Sequence, residues 1–311
     1  MAGGDVRESN PMEIKSFYER ESGTWTHVLA DTSEGVAASI DPVWVYDPVS
    51  GIADSAFVDR ILDAAQQAGL RIEWILETHA HADHLSAADV LRRRTGAGIA
   101  CGRGICEVQK TFAGVFDMRD MATDGSQFDR LLAEGDLIRL GGLDITVIET
   151  PGHTADSITY LVGDAAFVGD TLFAPAFGTA RCDFPGGDAA RLYDSIARIH
   201  ALPGATRVFL CHDYPREGQE PVAMVSVEES RRNNIHVGNG ARKEDFVAMR
   251  RSRDRQLGLP RLILPSLQVN ILAGAAPDPE PNGVSYLRIP FNRSLAELVA
   301  EQSAGNGPDK T

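Results

Sequence analysis

The chain has 311 residues and carries 44 acidic against 30 basic side chains, for a net charge of −14 at neutral pH. That balance argues against nucleic acid or an anionic membrane surface as the main partner, and no apolar run reaches the roughly 20 residues of a bilayer span. Its 43% hydrophobic and 24% charged residues are ordinary for a globular protein; the N-terminus lacks the basic-then-apolar order of a signal peptide, so a cytoplasmic location is expected.

The polar, Gly-rich ends, residues 1–11 and 304–311, are expected to fray. Between them residues 12–303 read as one α/β domain, with a C-terminal extension from about residue 235. Trp25–Ala30 and Val36–Ile40 are two strands joined by the turn signal Ser33-Glu34-Gly35. Asp54 to Ala68 fits a helix, with Phe57, Val58, Ile61, Leu62 and Ala65 on one face and Gly69 as its stop. Trp74–Thr78 is a short buried strand, and Leu85 to Arg94 is the next helix. Strands are expected at Ile138–Leu140, Asp144–Glu149, Ser157–Val162, Ala165–Val168 and Arg207–Leu210. Helices are expected at Ala189–Ala201, near Glu220–Arg232 and at Lys243–Gln256. Short apolar runs follow at Leu262–Leu264, Val269–Leu272 and Val284–Ile289. Cys101, Cys106, Cys182 and Cys211 form neither a zinc-knuckle spacing nor a disulfide framework, so free thiols are expected.

The segment Thr78-His79-Ala80-His81-Ala82-Asp83-His84 carries three imidazoles and a carboxylate between an apolar strand and a helix. Crowded imidazoles repel when protonated and waste hydrogen bonds when buried neutral. A divalent metal removes the conflict, because it takes neutral nitrogen and ionised carboxylate as ligands. Three further strand ends finish in ligand-type residues: Pro151-Gly152-His153-Thr154, Gly169-Asp170-Thr171 and Cys211-His212-Asp213. Strands that end at one edge of a sheet would bring these tips together.

The order His-x-His-x-Asp-His, then Gly-His-Thr, Gly-Asp and His resembles the metallo-β-lactamase superfamily over about Met12 to Arg232. The resemblance implies a four-layer αββα sandwich with a metal site at one edge of its sheets. Within it, His79, His81 and His153 would take one metal, Asp83, His84 and His212 a second, with Asp170 between them. The segments Gly178-Thr-Ala-Arg181-Cys182-Asp183-Phe184, His212-Asp213-Tyr214 and Val227–Asn234 resemble the persulfide dioxygenase branch, in its extended bacterial type. That resemblance implies oxidation of glutathione persulfide with O2 to sulfite and glutathione, on one Fe(II) per chain held by His79, His153 and Asp170. A face of two histidines and one carboxylate leaves adjacent positions open on iron, whereas zinc has no redox step to offer. His81, Asp83, His84 and His212 would then orient the ligands or hold a second metal.

An anionic tripeptide substrate on an acidic protein needs a local cation. Arg181 is the first candidate for binding it, Arg216 a weaker one, and Tyr214 is placed to contact substrate and take part in catalysis. Cys182 has no base beside it and reads as a bystander. The expected partners are a small thiol or persulfide and O2, with no nucleic acid or membrane, and a homodimer is expected. The extension from Arg261 to Asn292 would complete the substrate mouth or the dimer interface. The alternative is a dinuclear Zn2+ hydrolase of glyoxalase II-like thioester or lactone substrates, since all seven dinuclear ligands are present. A non-enzymatic metal or persulfide sensor is disfavoured by the intact ligand set.

Overall fold

The computed structural model describes residues 11–305, with side chains described as far as residue 302. Of the ends expected to fray, 1–10 and 306–311 lie outside the described residues. The strands in chain order are β1 (Met12–Glu19), β2 (Thr24–Asp31), β3 (Val36–Ile40), β4 (Val43–Asp47), β5 (Ile52–Asp54), β6 (Arg71–Leu76), β7 (Leu85–Ser86), β8 (Gly98–Gly102) and β9 (Arg130–Leu132). They continue with β10 (Leu137–Leu140), β11 (Leu143–Glu149), β12 (Ile158–Val162), β13 (Ala165–Phe167), β14 (Arg207–Phe209) and β15 (Met224–Ser226). The helices are α1 (Ala56–Gln67), α2 (Ala88–Thr95), α3 (Ile105–Val115), α4 (Ala189–His200), α5 (Val227–Asn233), α6 (Lys243–Asp254), α7 (Ile263–Asn270) and α8 (Leu295–Gly305). No described helix is long and apolar enough to cross a membrane.

Two six-stranded sheets, ordered β1-β2-β3-β6-β8-β9 and β10-β11-β12-β13-β14-β15, carry the fold, and a small sheet β5-β4-β7 lies beside them. Their inner faces share one apolar layer, in which Leu29, Ile40 and Leu76 of the first meet Ile145, Tyr160 and Phe167 of the second. The period of two explains how the strands serve two layers. In β3, Val36, Ala38 and Ile40 face the second sheet, while Ala37 faces the helices outside. Those outer helices, α1, α2, α3 and α7, bury Phe57, Leu91, Phe112 and Leu267 against β6 and β8. On the other side α4 and α6 bury Leu192, Ile196 and Phe246 against β13 and β14. The order is helix, sheet, sheet, helix, as the sequence led us to expect.

β3, β6, β8 and β9 run parallel, so each return crosses over through a helix and each strand delivers its loop to the same rim. In the second sheet β13 and β14 are the parallel pair, with α4 as the crossover.

The differences from the expected elements have local causes. Residues 12–19 form an edge strand paired with β2 along its whole length. The helix expected from Leu85 starts at Ala88, because Leu85 and Ser86 pair with Trp44 and Val43. The stretch expected to be helical near Glu220–Arg232 begins as strand β15, whose Val225 is buried opposite Val208, and turns helical only after the Ser226 hydroxyl caps Glu229 N. The apolar runs Leu262–Leu264 and Val269–Leu272 lie at the two ends of α7 and run past them; its Pro265 falls in the first turn, where no backbone donor is needed.

Candidate metal centre

Each candidate ligand sits just past a strand. The loop after β6 carries His79, His81, Asp83 and His84; the loop after β11 carries His153; a 3-10 turn after β13 carries Asp170; the loop after β14 carries His212 and Tyr214. Two glycines make the close approach possible. Gly169 has φ +52°, and a Cβ there would lie 2.5 Å from the Thr78 hydroxyl. At Gly152, with φ +143°, a Cβ would lie 2.3 Å from the backbone nitrogen of Leu192. Any other residue would push its ligand loop away from the rim.

Two groups of potential ligand atoms result. In His79, His153 and Asp170 these atoms all lie within 4.8 Å of one another, and so do those of His81, Asp83, His84 and His212. Asp170 reaches both groups: Oδ2 is 3.9 Å from His79 Nε2 and 3.6 Å from His153 Nε2, and Oδ1 is 3.4 Å from His212 Nε2. Asp83 Oδ2 lies 3.2 Å from His212 Nε2, and its other oxygen lies 3.2 Å from His84 Nδ1. The imidazoles of His79, His81, His84, His153 and His212 are all buried.

His153 Nδ1 lies 2.7 Å from the Arg181 carbonyl. A carbonyl only accepts, so Nδ1 carries the proton and Nε2 presents a lone pair toward Asp170. His81 Nε2 contacts Asp41 at 3.1 Å and Glu77 at 3.4 Å, which leaves Nδ1 to face the cluster. Burial, and after it the charges of His81 and His153, hold the His79 pKa well below the usual value; burial and His81 also lower that of His84. A neutral imidazole is the form that binds a metal. At His81 and His212 burial also opposes the charged form, but the carboxylates of Asp41 and Asp83 outweigh it and hold both values well above normal. For Asp83 burial opposes ionisation, yet His212 and His84 bring its pKa well below the usual carboxylate range.

These side chains fit a metal. His81 Nδ1, His84 Nε2, His212 Nε2 and Asp170 Oδ1 are buried without a hydrogen-bond partner. Buried polar atoms without partners are costly, and four converging at one rim are the ligand types a divalent ion satisfies.

The loop bearing the histidines is held from three sides. Asp41, at φ 49°, accepts Thr78 N–H at 2.8 Å and the Thr78 hydroxyl at 2.9 Å. Asp156 accepts Ala80 N–H at 2.8 Å. Asn270 of α7 donates to the carbonyls of His81, at 2.8 Å, and His84, at 2.9 Å, and accepts Ser86 N–H at 2.7 Å. None of these three was singled out from the sequence. Only Asp41 leaves a signal there, an Asp-Pro pair at a strand end; nothing local marks Asn270. The two sheets are also joined at this rim by backbone hydrogen bonds from Trp25 N to Cys211 O, 2.7 Å, and from Asp213 N to Gly23 O, 3.0 Å.

A cavity of about 580 Å³ opens beside the cluster and is lined by Asp83, His84, His153 and Asp170 at its floor. Trp44 and Tyr46 form one wall, Phe173, Phe177 and Phe184 another. Residues 257–262 also line it; of the segment from Arg261 to Asn292 only Arg261 and Leu262 are among the lining residues. Arg181 and Tyr214 also line it, whereas Arg216 does not. The Arg181 guanidinium is already engaged: it binds Asp183 through two bonds of 2.6 and 2.7 Å, donates to Gly258 O at 2.6 Å and lies over the Phe184 ring. The Tyr214 ring stacks on His212 with its planes 4° apart and is 48% exposed. Cys182 is buried, its thiol pushed up by burial, and all four cysteines are free.

A metallo-beta-lactamase superfamily model matches residues 40–212. The chain is 47% identical over 292 residues to a protein of Burkholderia pseudomallei named a probable metallo-hydrolase, a match covering 90% of this chain and 99% of that one. It is also 47% identical over 279 residues to a beta-lactamase hydrolase-like protein of Agrobacterium fabrum; this covers 90% of the chain, which spans 64% of that relative's length. With the human mitochondrial persulfide dioxygenase ETHE1 it shares 30% identity over 240 residues, 76% of this chain and 80% of the relative. Among solved structures, the crystal structure of ETHE1 from Myxococcus xanthus superposes with a TM-score of 0.68 at 32% identity, covering 85% of this chain and all of that one (100%). By this match in sequence and in fold, the chain belongs to the metallo-beta-lactamase superfamily.

Proposed function

We propose that the protein is a non-haem Fe(II) persulfide dioxygenase, with His79, His153 and Asp170 as the iron ligands and glutathione persulfide as substrate. The observation that carries the reading is the grouping of these two histidines and one carboxylate within 4.8 Å, with His153 and Asp170 lining the adjoining cavity. The similarity to ETHE1 proteins in sequence and fold supports it. Iron(II) held by these three residues would supply the redox chemistry with O2 that zinc lacks.

The chain's own residues have defined tasks in this reading. The Arg181 carbonyl fixes the His153 tautomer. Trp44, Phe173 and Phe184 give the cavity apolar lining beside the ligands. Arg181, neutralised by Asp183, braces Phe184 and the lining segment at Gly258 and so borders the substrate without carrying a free charge. Tyr214, half-exposed and stacked on His212, lines the cavity where it would contact the substrate.

A second reading has its own support. His81, Asp83, His84 and His212 form another four-residue group within 4.8 Å, and Asp170 reaches both groups. That is a donor set for two zinc ions and hydrolysis of a thioester or lactone, in line with the name of the Burkholderia relative. The two readings separate on anaerobically purified protein. The dioxygenase should hold about one iron per chain and consume O2 with glutathione persulfide. Two metals per chain and turnover of lactoylglutathione under nitrogen, with no oxygen uptake, would replace it by the hydrolase.

A further inference from the structure

His236 lines the same cavity but belongs to neither ligand group. It sits in the loop after α5, which Asn234 makes rigid: the Asn234 side chain accepts His236 N–H at 2.9 Å and Val237 N–H at 3.2 Å, and donates to Gly178 O at 2.9 Å. Gly178, at φ +85°, lets the imidazole in; a Cβ there would lie 2.1 Å from His236 Nδ1.

The tautomer follows from one bond. Thr179 N–H points at His236 Nδ1 at 3.0 Å. A backbone amide can only donate, so Nδ1 is the acceptor and the proton of the neutral ring resides on Nε2. Burial first, then the guanidinium groups of Arg250 and Arg253, push this imidazole down to about 4, so at neutral pH the ring is neutral. His236 is 8% exposed, and Nε2–H finds no acceptor in the protein. A donor buried in this way is costly unless something completes it. Of the cations at that wall, Arg250 is paired with Asp254, whereas Arg253 is exposed and makes no ion pair among the described residues.

We infer that His236 is a substrate-recognition residue: its Nε2–H donates to a carboxylate oxygen of the substrate bound in the cavity. Resting on the reading of this cavity as a thiol-substrate site, the inference assigns the part of the substrate away from the sulfur an anionic end group, bound by His236 with Arg253 beside it. It places the specificity for that end in the extension beyond Arg232, rather than in the loops that carry the metal ligands.

The test uses the iron-loaded protein, with anaerobic glutathione binding measured by calorimetry. His236→Asn keeps an acceptor for Thr179 N–H and loses only the donor at Nε2; His236→Gln carries an amide N–H to the Nε2 position. H236N should weaken glutathione binding about tenfold, as expected for a hydrogen bond to a charged group, and H236Q should stay within about threefold of wild type. In turnover the loss should fall on KM, with kcat and iron content unchanged. In addition, histidine-labelled wild-type protein loaded with zinc should show the His236 Nε2–H resonance move when glutathione is added, which needs no variant to fold. Equal binding by H236N and wild type, an unmoved Nε2–H resonance, or no glutathione binding by wild type each overturns the inference. Oxygen uptake decides the dioxygenase reading separately: protein that binds glutathione through His236 yet consumes no oxygen keeps this subsite and loses that reaction.

Discussion

The side-chain amide of Asn270 donates to the carbonyl oxygen of His81 at 2.8 Å, across 189 positions of sequence. A helix of the C-terminal extension therefore holds the backbone of the loop on which four candidate ligands stand. Asn270→Ala should leave the His81 and His84 carbonyls and Ser86 N–H without their partner, at a cost of about 1–3 kcal/mol per buried group left unpaired. Because the loss falls behind the ligands, metal affinity should drop about 10–100-fold. Chelator competition measures this. Unchanged affinity in a folded Asn270→Ala protein would reduce Asn270 to a fold-stabilising contact.

Alanine at either end of the His79–Asp170 contact should remove the metal and all activity under both readings. Asp83 and His84 separate them. Under the mononuclear reading, His84→Ala should keep about one iron per chain and lose only part of its rate. Under the dinuclear reading the same change should halve the metal content and abolish hydrolysis. Elemental analysis of the variant beside wild type decides between these outcomes.

Arg181→Ala should raise KM for glutathione persulfide several-fold while metal content stays the same. The guanidinium braces Phe184 and Gly258 at the cavity wall, whereas His153 is held by the residue's backbone carbonyl, which the substitution retains. Loss of metal in this variant would contradict that division of labour. Unaltered kinetics would take Arg181 out of the cavity's function.

His27 belongs to neither ligand group and provides a pH-dependent stability term. Its Nε2 donates to Leu210 O at 2.9 Å, and its Nδ1 accepts from the Ser16 hydroxyl at 2.8 Å, so the neutral ring is satisfied on both sides. Burial pushes its pKa down to about 4 from an unfolded value near 6.5. The folded state resists protonation, so stability is fully present above pH 6.5 and is lost as pH falls toward 4, by on the order of 3 kcal/mol. Urea midpoints for wild type and His27→Gln at pH 7 and pH 4.5 should show a smaller acid loss in the variant. Equal losses would place the acid sensitivity elsewhere.

The candidate ligands were legible because each is an imidazole or a carboxylate immediately after an apolar strand, a pattern complete within a few residues. Their partition was less legible. The resemblance grouped His81 with His79 and His153; in the folded loop its ring centroid lies 4.0 Å from that of His79 and 4.3 Å from that of His84, with Nε2 on Asp41 and Glu77. No secondary structure was expected between 98 and 132, where β8 and β9 are short strands defined by their parallel partners and α3 lies between them. Asn270, Asp156 and His236 act through partners 57 to 189 positions away. A sequence has no period or spacing that could announce contacts of that kind.

Gly23, Trp25, Cys211 and Asp213 sew the two sheets together by main-chain bonds at the very rim where the ligands stand. Between them the layers share apolar side chains, with further polar links from Tyr160 to Glu77 O and from Gly142 N–H to Asp31. The seam ties the metal-bearing end of the sandwich through main chain as well as side chains. The ligand tips can then keep their mutual positions before any ion arrives, and the ion would find a socket already shaped instead of having to gather one.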